Sequence, residues 1–357
     1  VVLVWIAAVA GAIFVVLTAL IQASGAGATL SLTYAIIPVP AMLLMYWWID
    51  RVEPEPFRYK AAAFIWGAVI ATSLAIAGSA VFFFAGASDV VMTVVVAPVV
   101  EEATKGLFLL VVLLRARKII HGVVDGMILA GLVGVGFAAV ENVIYYVAAY
   151  FEGPELFQVS GFAATTSTFV MRGLISPLAH PLFTSMLGIA IGLAVAQKSW
   201  AVRILLVVGG YLGSVALHAF WNGSAVTESW AAFVVTYLCM AVLLLGLFVA
   251  IILLRIREMK SMRATLIELS EMGWLHPAEV GHLLRFSRRR QARKYAAQHG
   301  PHAAQAMKEY QKLATEVAFL HQLTVTGRSN AFDARQAQGV LEHMWALRPW
   351  LRFPPAL

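Results

Sequence analysis

Eight stretches of this chain are each long and apolar enough to cross a bilayer: residues 1–22, 28–49, 61–85, 90–114, 123–150, 169–196, 201–222 and 230–254. A hydrocarbon core about 30 Å thick takes about 20 helical residues per crossing. With 61% of all residues hydrophobic and 13% charged, the expected fold is an all-α polytopic membrane protein of about eight transmembrane helices. That bundle is expected to fill residues 1–254, with a helical region over 255–357. The first run has spanning length and no visible cleavage pattern, so it reads as a span and not a removed signal. Because the numbering starts at Val1, a further N-terminal segment is expected before it.

Connector charges orient the bundle. Arg51, Arg58 and Lys60, then Arg115, Arg117 and Lys118, then Lys198 and Arg203 fall in alternate connectors together with the tail. The opposite connectors hold Asp89, Glu152, Glu155 and Glu228 against a single basic residue, Arg172. The positive-inside rule then puts both termini in the cytoplasm. From Arg255 onward the chain carries 16 of the 26 Lys and Arg but 8 of the 19 Asp and Glu, a formal +8. Met259, Met262, Leu266 and Leu269 recur there at helical spacing, His276-Pro277 reads as a helix start, and further helices carry Arg288-Arg289-Arg290 and residues 307–323. A basic helical face beside a membrane suits anionic lipid. No nucleic-acid recognition module accompanies the charge, so nucleic acid is not expected as a partner. The lone Cys239 excludes an internal disulfide and a cysteine zinc site.

Charge inside such spans is costly, about 2.5 to 3.5 kcal/mol per carboxylate at a helix centre, so each one needs a partner or a function. Residues 97–106, Ala-Pro-Val-Val-Glu-Glu-Ala-Thr-Lys-Gly, set Glu101, Glu102 and Lys105 near the middle of the fourth run. Lys105 is spaced to pair with one glutamate on a helical face and leave the other uncompensated. Pro98 cannot donate to the carbonyl of Val94 and should loosen the helix there. The fifth run carries Asp125 near its cytoplasmic end and Glu141-Asn142 deep inside, and Gly126, Ala130 and Gly134 share a face that lets another helix approach. Asp125, with His121 before it, reads as an end-of-helix group. Glu141 has no basic neighbour in sequence and requires one from another helix. The sixth run holds His180 between Pro177 and Pro181, and the seventh ends in His218-Ala-Phe-Trp-Asn222, whose first and last residues share a face.

At about 1.5 Å per helical residue, Glu101, Glu102, Glu141, His180 and His218 lie roughly 20 to 27 Å from the cytoplasmic ends of their helices. They fall in one layer, and one shared site is expected. Its inventory suits hydrolysis. A glutamate can deprotonate water, its neighbour or a histidine can protonate the leaving amine, and Asn222 with a histidine can hold an oxyanion. Thr104, Ser176 and Thr184 read as hydroxyls bonded to their own helices. The alternative is a metal site in which His180, His218 and Glu141 leave room for water, and zinc suits such a set. No His-Glu-x-x-His pattern is present to establish it.

Residues 101–105 (Glu-Glu-Ala-Thr-Lys), Asp125-Gly126, residues 136–145 (Gly-Phe-Ala-Ala-Val-Glu-Asn-Val-Ile-Tyr), His180-Pro-Leu-Phe-Thr184 and His218-Ala-Phe-Trp-Asn222 together resemble the PrsW family of intramembrane proteases. More distantly, they are similar to the CAAX-prenyl endopeptidases and bacteriocin-processing enzymes. The resemblance covers about residues 30–255. It implies that Glu101 and Glu102 are the paired catalytic glutamates, that His180 and His218 are the site histidines, and that Asn222 closes a His-x-x-x-Asn motif. Glu141 stands where the CAAX-type enzymes have a histidine. The resemblance further implies a bacterial plasma-membrane enzyme that cuts a single-span, membrane-anchored substrate, such as an anti-sigma factor, on its extracytoplasmic side. A proton-coupled carrier would show a broken polar helix in each of two related halves, which this sequence lacks. A non-catalytic scaffold would be free to lose the glutamates, histidines and asparagine that are all present.

Overall fold

The computed structural model describes residues 25–51, 55–116, 119–227, 229–325 and 331–354. The expected first span, Val1–Gln22, lies outside them, as do the connector charges Arg117, Lys118 and Glu228. The described residues are helical, with no strand among them. The chain divides into two compact units that part between Phe248 and Val249.

The first unit is built on helices α1 (Gly25–Asp50), α2 (Phe57–Phe84), α3 (residues 89–115), α4 (Val123–Phe157), α5 (Gly161–Val195), α6 (Trp200–Val226) and α7 (Trp230–Glu271), the last of which continues into the second unit. Six of these are long and apolar enough to cross a membrane. α3 has the length, but Glu101, Glu102 and Lys105 interrupt its apolar run. α4 is the centre of the unit: 83% of its most apolar stretch is buried, against 11% for α7 and 6% for α6. Helices that keep Leu205, Leu212, Val242 and Leu245 exposed are apolar outward as well as inward, which is the pattern of lipid-facing helices.

The small residues expected to admit a neighbour do so. A Cβ on Gly126 would lie 2.1 Å from the Gly188 carbonyl oxygen, and one on Gly134 would lie 2.7 Å from the Pro181 nitrogen. α5 therefore lies directly on α4, and the contact at Gly134 brings the His180-Pro181 backbone against the helix that carries Glu141.

In the second unit, α8 (Pro277–Leu284), α10 (Pro301–Val325) and α11 (Ala331–Leu347) close around Leu266, Leu283, Tyr310, Ala314 and Val317, while α9 (Phe286–Gln298) packs on α10 through Ala292, Ala296, Ala303 and Met307. Leu266 and Leu269 are buried as their spacing implied, and the His276 ring accepts from the Ala278 N–H at the start of α8. Arg288, Arg290, Arg293 and Lys294 are exposed. Arg289 instead turns inward onto the Thr315 hydroxyl and the Gln311 carbonyl, and burial together with nearby Arg293 draws its pKa down to about 10.

Candidate active site

Two prolines prepare the ground. In α3 a single wide turn, Met92–Val96, ends with the Ala97 N–H on the Met92 carbonyl, five residues back. An ordinary α turn would have sent that N–H to Thr93. The continuing wide register would need an N–H from residue 98, which is proline. The Thr93 carbonyl is thereby orphaned, and the Asn222 side-chain amide of α6 donates to it at 2.9 Å. The gap expected at Pro98 thus falls one residue earlier, at Thr93, and a side chain fills it. In α5 a second wide turn, Val170–Ile175, ends with the Ser176 N–H on the Met171 carbonyl, and the helix restarts at Ala179 after Pro177. Such turns are frequent at functional sites. This one carries Arg172, and the restart carries His180.

Lys105 is the hub. Its Nζ lies 2.8 Å from Glu102 Oε1, 3.3 Å from Glu101 Oε2, 3.0 Å from His180 Nδ1 and 3.8 Å from the centre of the Phe137 ring. The sequence spacing suggested one ion pair and a bare second carboxylate. The ammonium serves both, because it has three donors and sits between i and i+1 on the preceding turn. Glu102 is enclosed. Its Oε1 also meets His218 Nδ1 at 3.1 Å, and its Oε2 accepts from the Thr184 hydroxyl at 3.0 Å. Glu101 keeps 12% of its side chain exposed, and its Oε2 lies 3.9 Å from His218 Nε2.

Glu141 finds its partners on α5. His180 Nε2 lies 2.7 Å from its Oε2, and Arg172 donates to the same oxygen while its Nε donates to Asn142 Oδ1 at 2.8 Å. The hydrogen-bond partners assign the ring protons. A carboxylate only accepts, so His180 carries its proton on Nε2, and its Nδ1 lone pair receives Lys105. By the same reasoning His218 carries its proton on Nδ1, toward Glu102. Its Nε2 lone pair points toward Glu101.

The site residues named from sequence are thus brought together. Glu101, Glu102, Lys105, Glu141, His180 and His218 form one continuous network. Asn222 joins Glu101, Glu141, His180 and His218 on the wall of a cavity of about 210 Å³, with Ser79, Met92 and Trp221. Thr104 and Ser176 bond to their own helices as expected, on the carbonyls of Glu101 and Met171. Thr184 does not, and its place one turn after His180 was the overlooked signal. Arg172 was counted as a connector charge but lies inside α5. A lone arginine in an apolar run eight residues before a buried histidine was the clue. Asp125 is an end-of-helix group, accepting from the N–H groups of His121 and Gly122 at 2.8 and 3.1 Å.

A model of the PrsW family of intramembrane metalloproteases matches residues 55–252. The chain belongs to that family. It is accordingly an integral membrane protease, and the matched segment contains every residue of the network. Comparison with curated proteins and with solved structures gives no match. The family's metal has a fitting donor set here. Glu101, His180 and His218, all buried, offer one ligand atom each, and these atoms lie within 4.8 Å of one another. Two imidazoles and a carboxylate beside a cavity match the donor set of a catalytic metal site with an open position, with His218 Nε2 already free and His180 Nδ1 able to ligate once Lys105 gives it up, and Glu102 orients His218 from behind, as outer carboxylates do. Glu141, proposed from sequence as the carboxylate ligand, instead bonds to His180 and Arg172, and Glu101 takes its place in the set.

Proposed function

We propose that this PrsW-family protease is an endopeptidase that cuts a single-span, membrane-anchored protein, anti-sigma-factor-like, on the extracytoplasmic side of a bacterial plasma membrane. The observation that carries the reading is the asymmetry of the two adjacent glutamates on the cavity. Glu102 has both oxygens engaged and no face on the cavity. Glu101 lines the cavity and has the looser hold on Lys105, so it is the carboxylate able to take a proton from water. His218, oriented by Glu102, relays that proton through Nε2 to the leaving amine. Lys105 bonds to both glutamates and holds the pair aligned. Asn222, with one amide hydrogen on Thr93 and a second to spare, and His218 steady the oxyanion. Glu141 and Thr184 hold their partners in register. In the alternative reading, zinc held by Glu101, His180 and His218 would supply Lewis-acid polarisation of the carbonyl and a more acidic water, and Glu101 and His218 Nε2 would then serve as ligands in place of base and relay.

Eight spans with both termini cytoplasmic accommodate this reading. With Arg172 assigned to the site, the connectors opposite the basic ones retain only acidic residues among those named above, which strengthens the charge asymmetry. The exposed Arg288, Arg290, Arg293 and Lys294 would then face anionic lipid headgroups. The test is cleavage of a single-span reporter by the purified protein in liposomes. Glu101→Gln is expected to lower kcat by about 10² to 10⁴-fold, the range for a lost general base. Wild-type cleavage by that variant would overturn the reading.

A further inference from the structure

Arg172 lies outside the residues that reaction employs, yet among the described residues of the unit its cation is the most constrained after that of Lys105. It is held at three points. Nε donates to Asn142 Oδ1 at 2.8 Å, the guanidinium donates to Glu141 Oε2, and its carbon sits 3.7 Å over the centre of the Tyr145 ring. All three partners come from one face of α4, at positions 141, 142 and 145. Arg172 reaches that face because the wide turn Val170–Ile175 adds a residue to the helix. One added residue rotates the segment before the turn by about 100° relative to the segment after it, since 3.6 residues make a turn. His180, on the far side of the break, meets the same Glu141 oxygen from the other direction at 2.7 Å.

From this arrangement we infer that Arg172 is a positioning residue which, through Glu141, fixes the tautomer and ring orientation of His180. Glu141 has rotatable bonds and one histidine neighbour, and alone would not be held to a single direction. Arg172 donates to the very oxygen that His180 uses, and its Nε anchor on Asn142 prevents the guanidinium from following a moving carboxylate. A planar fork held at two atoms and stacked on an aromatic ring cannot be replaced by a point charge. The result is an Nε2–H directed at Glu141 and an Nδ1 lone pair directed at the Lys105 hub. Outer partners of this kind typically change activity or metal affinity by about 10- to 100-fold when removed. The inference rests on the protease reading for its catalytic consequence, but the tautomer itself is measurable without any substrate.

The experiment is ¹⁵N NMR of the full-length protein in lipid, with labelled histidine and the His180 signals assigned by their loss in His180→Gln, run beside cleavage of the single-span reporter. Wild type should show a single His180 species with the proton on Nε2. In Arg172→Met, with the NMR sample treated with a chelator so that no ion on Nδ1 fixes the ring, both tautomers should appear, while the untreated protein shows kcat down about 10- to 100-fold and KM within about twofold. Arg172→Lys should restore less than half of the lost kcat. Asn142→Leu, which frees only the Nε anchor and leaves the ion pair, should move both readouts the same way by a smaller amount and covers the case in which Arg172→Met does not fold. A His180 spectrum unchanged in Arg172→Met, or in Asn142→Leu if that is the variant that folds, would overturn the inference whatever happens to kcat. Full rescue by lysine would also overturn it. If the wild-type protein shows the single tautomer but cuts nothing, the protease reading is at fault and the positioning is not.

Discussion

Two groups of acids and histidines in the first unit bring ligand atoms within 4.8 Å of one another, Glu101 with His180 and His218, and Glu55 with His121 and Asp125. The first is drawn from three helices and sits on a cavity wall. The second gathers around the start of α4, where Asp125 accepts from two backbone N–H groups, the Glu55 N–H donates to Asp50 Oδ1, and His121 is exposed. An N3 carboxylate that reaches back to the N–H of the capping residue, here Gly122, closes a capping box, so Asp125 has a sufficient structural reason to exist. Glu101 has none of that kind: it lies inside α3, costs desolvation there, and keeps an oxygen toward open space. Proximity of ligand-type atoms therefore says little by itself. What separates the two groups is whether a lone pair faces a cavity after structural hydrogen bonds are counted.

The largest expected effect would break this contrast outright. Glu101→Gln should abolish measurable cleavage, by about 10² to 10⁴-fold, while Asp125→Asn stays within about twofold. Equal losses in a liposome cleavage assay would show that the connector group shares the chemistry. Metal content sharpens the same comparison: elemental analysis should find about one zinc per chain in the purified, tag-free protein, lost in His180→Ala combined with His218→Ala and retained in His121→Ala. Zinc lost in His121→Ala alone would move the metal to the start of α4. Behind His218, Thr184→Val removes one donor from Glu102 and leaves Lys105 in place, so kcat should fall by about 10-fold with zinc content unchanged. Smallest of all, Asp125→Ala should lower unfolding free energy by about 1 kcal/mol, as loss of a helix-start acceptor does, with kcat unaltered. A kcat that tracks the loss of stability would merge the two groups again.

Much of this was legible from residues alone, for identifiable reasons. Glu101, Glu102, Glu141, His180 and His218 stood out because charge and imidazole are rare in apolar runs, and their common depth followed from helical rise. The glycine face of α4 was legible because only small residues repeat there at four-residue spacing. Thr184 was not, since a hydroxyl in a membrane helix is usually content with its own backbone, and Thr104 and Ser176 are. Arg172 was misplaced because a run boundary drawn from hydropathy treats any arginine near it as a connector.

The sequence by itself determined the class of fold, the membrane setting and the acids, lysine and histidines of the polar cluster, because each follows from composition and periodicity along one chain. Only the tertiary structure decided which glutamate faces the cavity, which nitrogen of each histidine carries the proton, and that Asn222 meets the Thr93 carbonyl. Those outcomes depend on where α3, α4, α5 and α6 meet. Two wide helical turns, each with a proline just after it, set that meeting by rotating whole helix faces, and no spacing along a single helix records such a rotation.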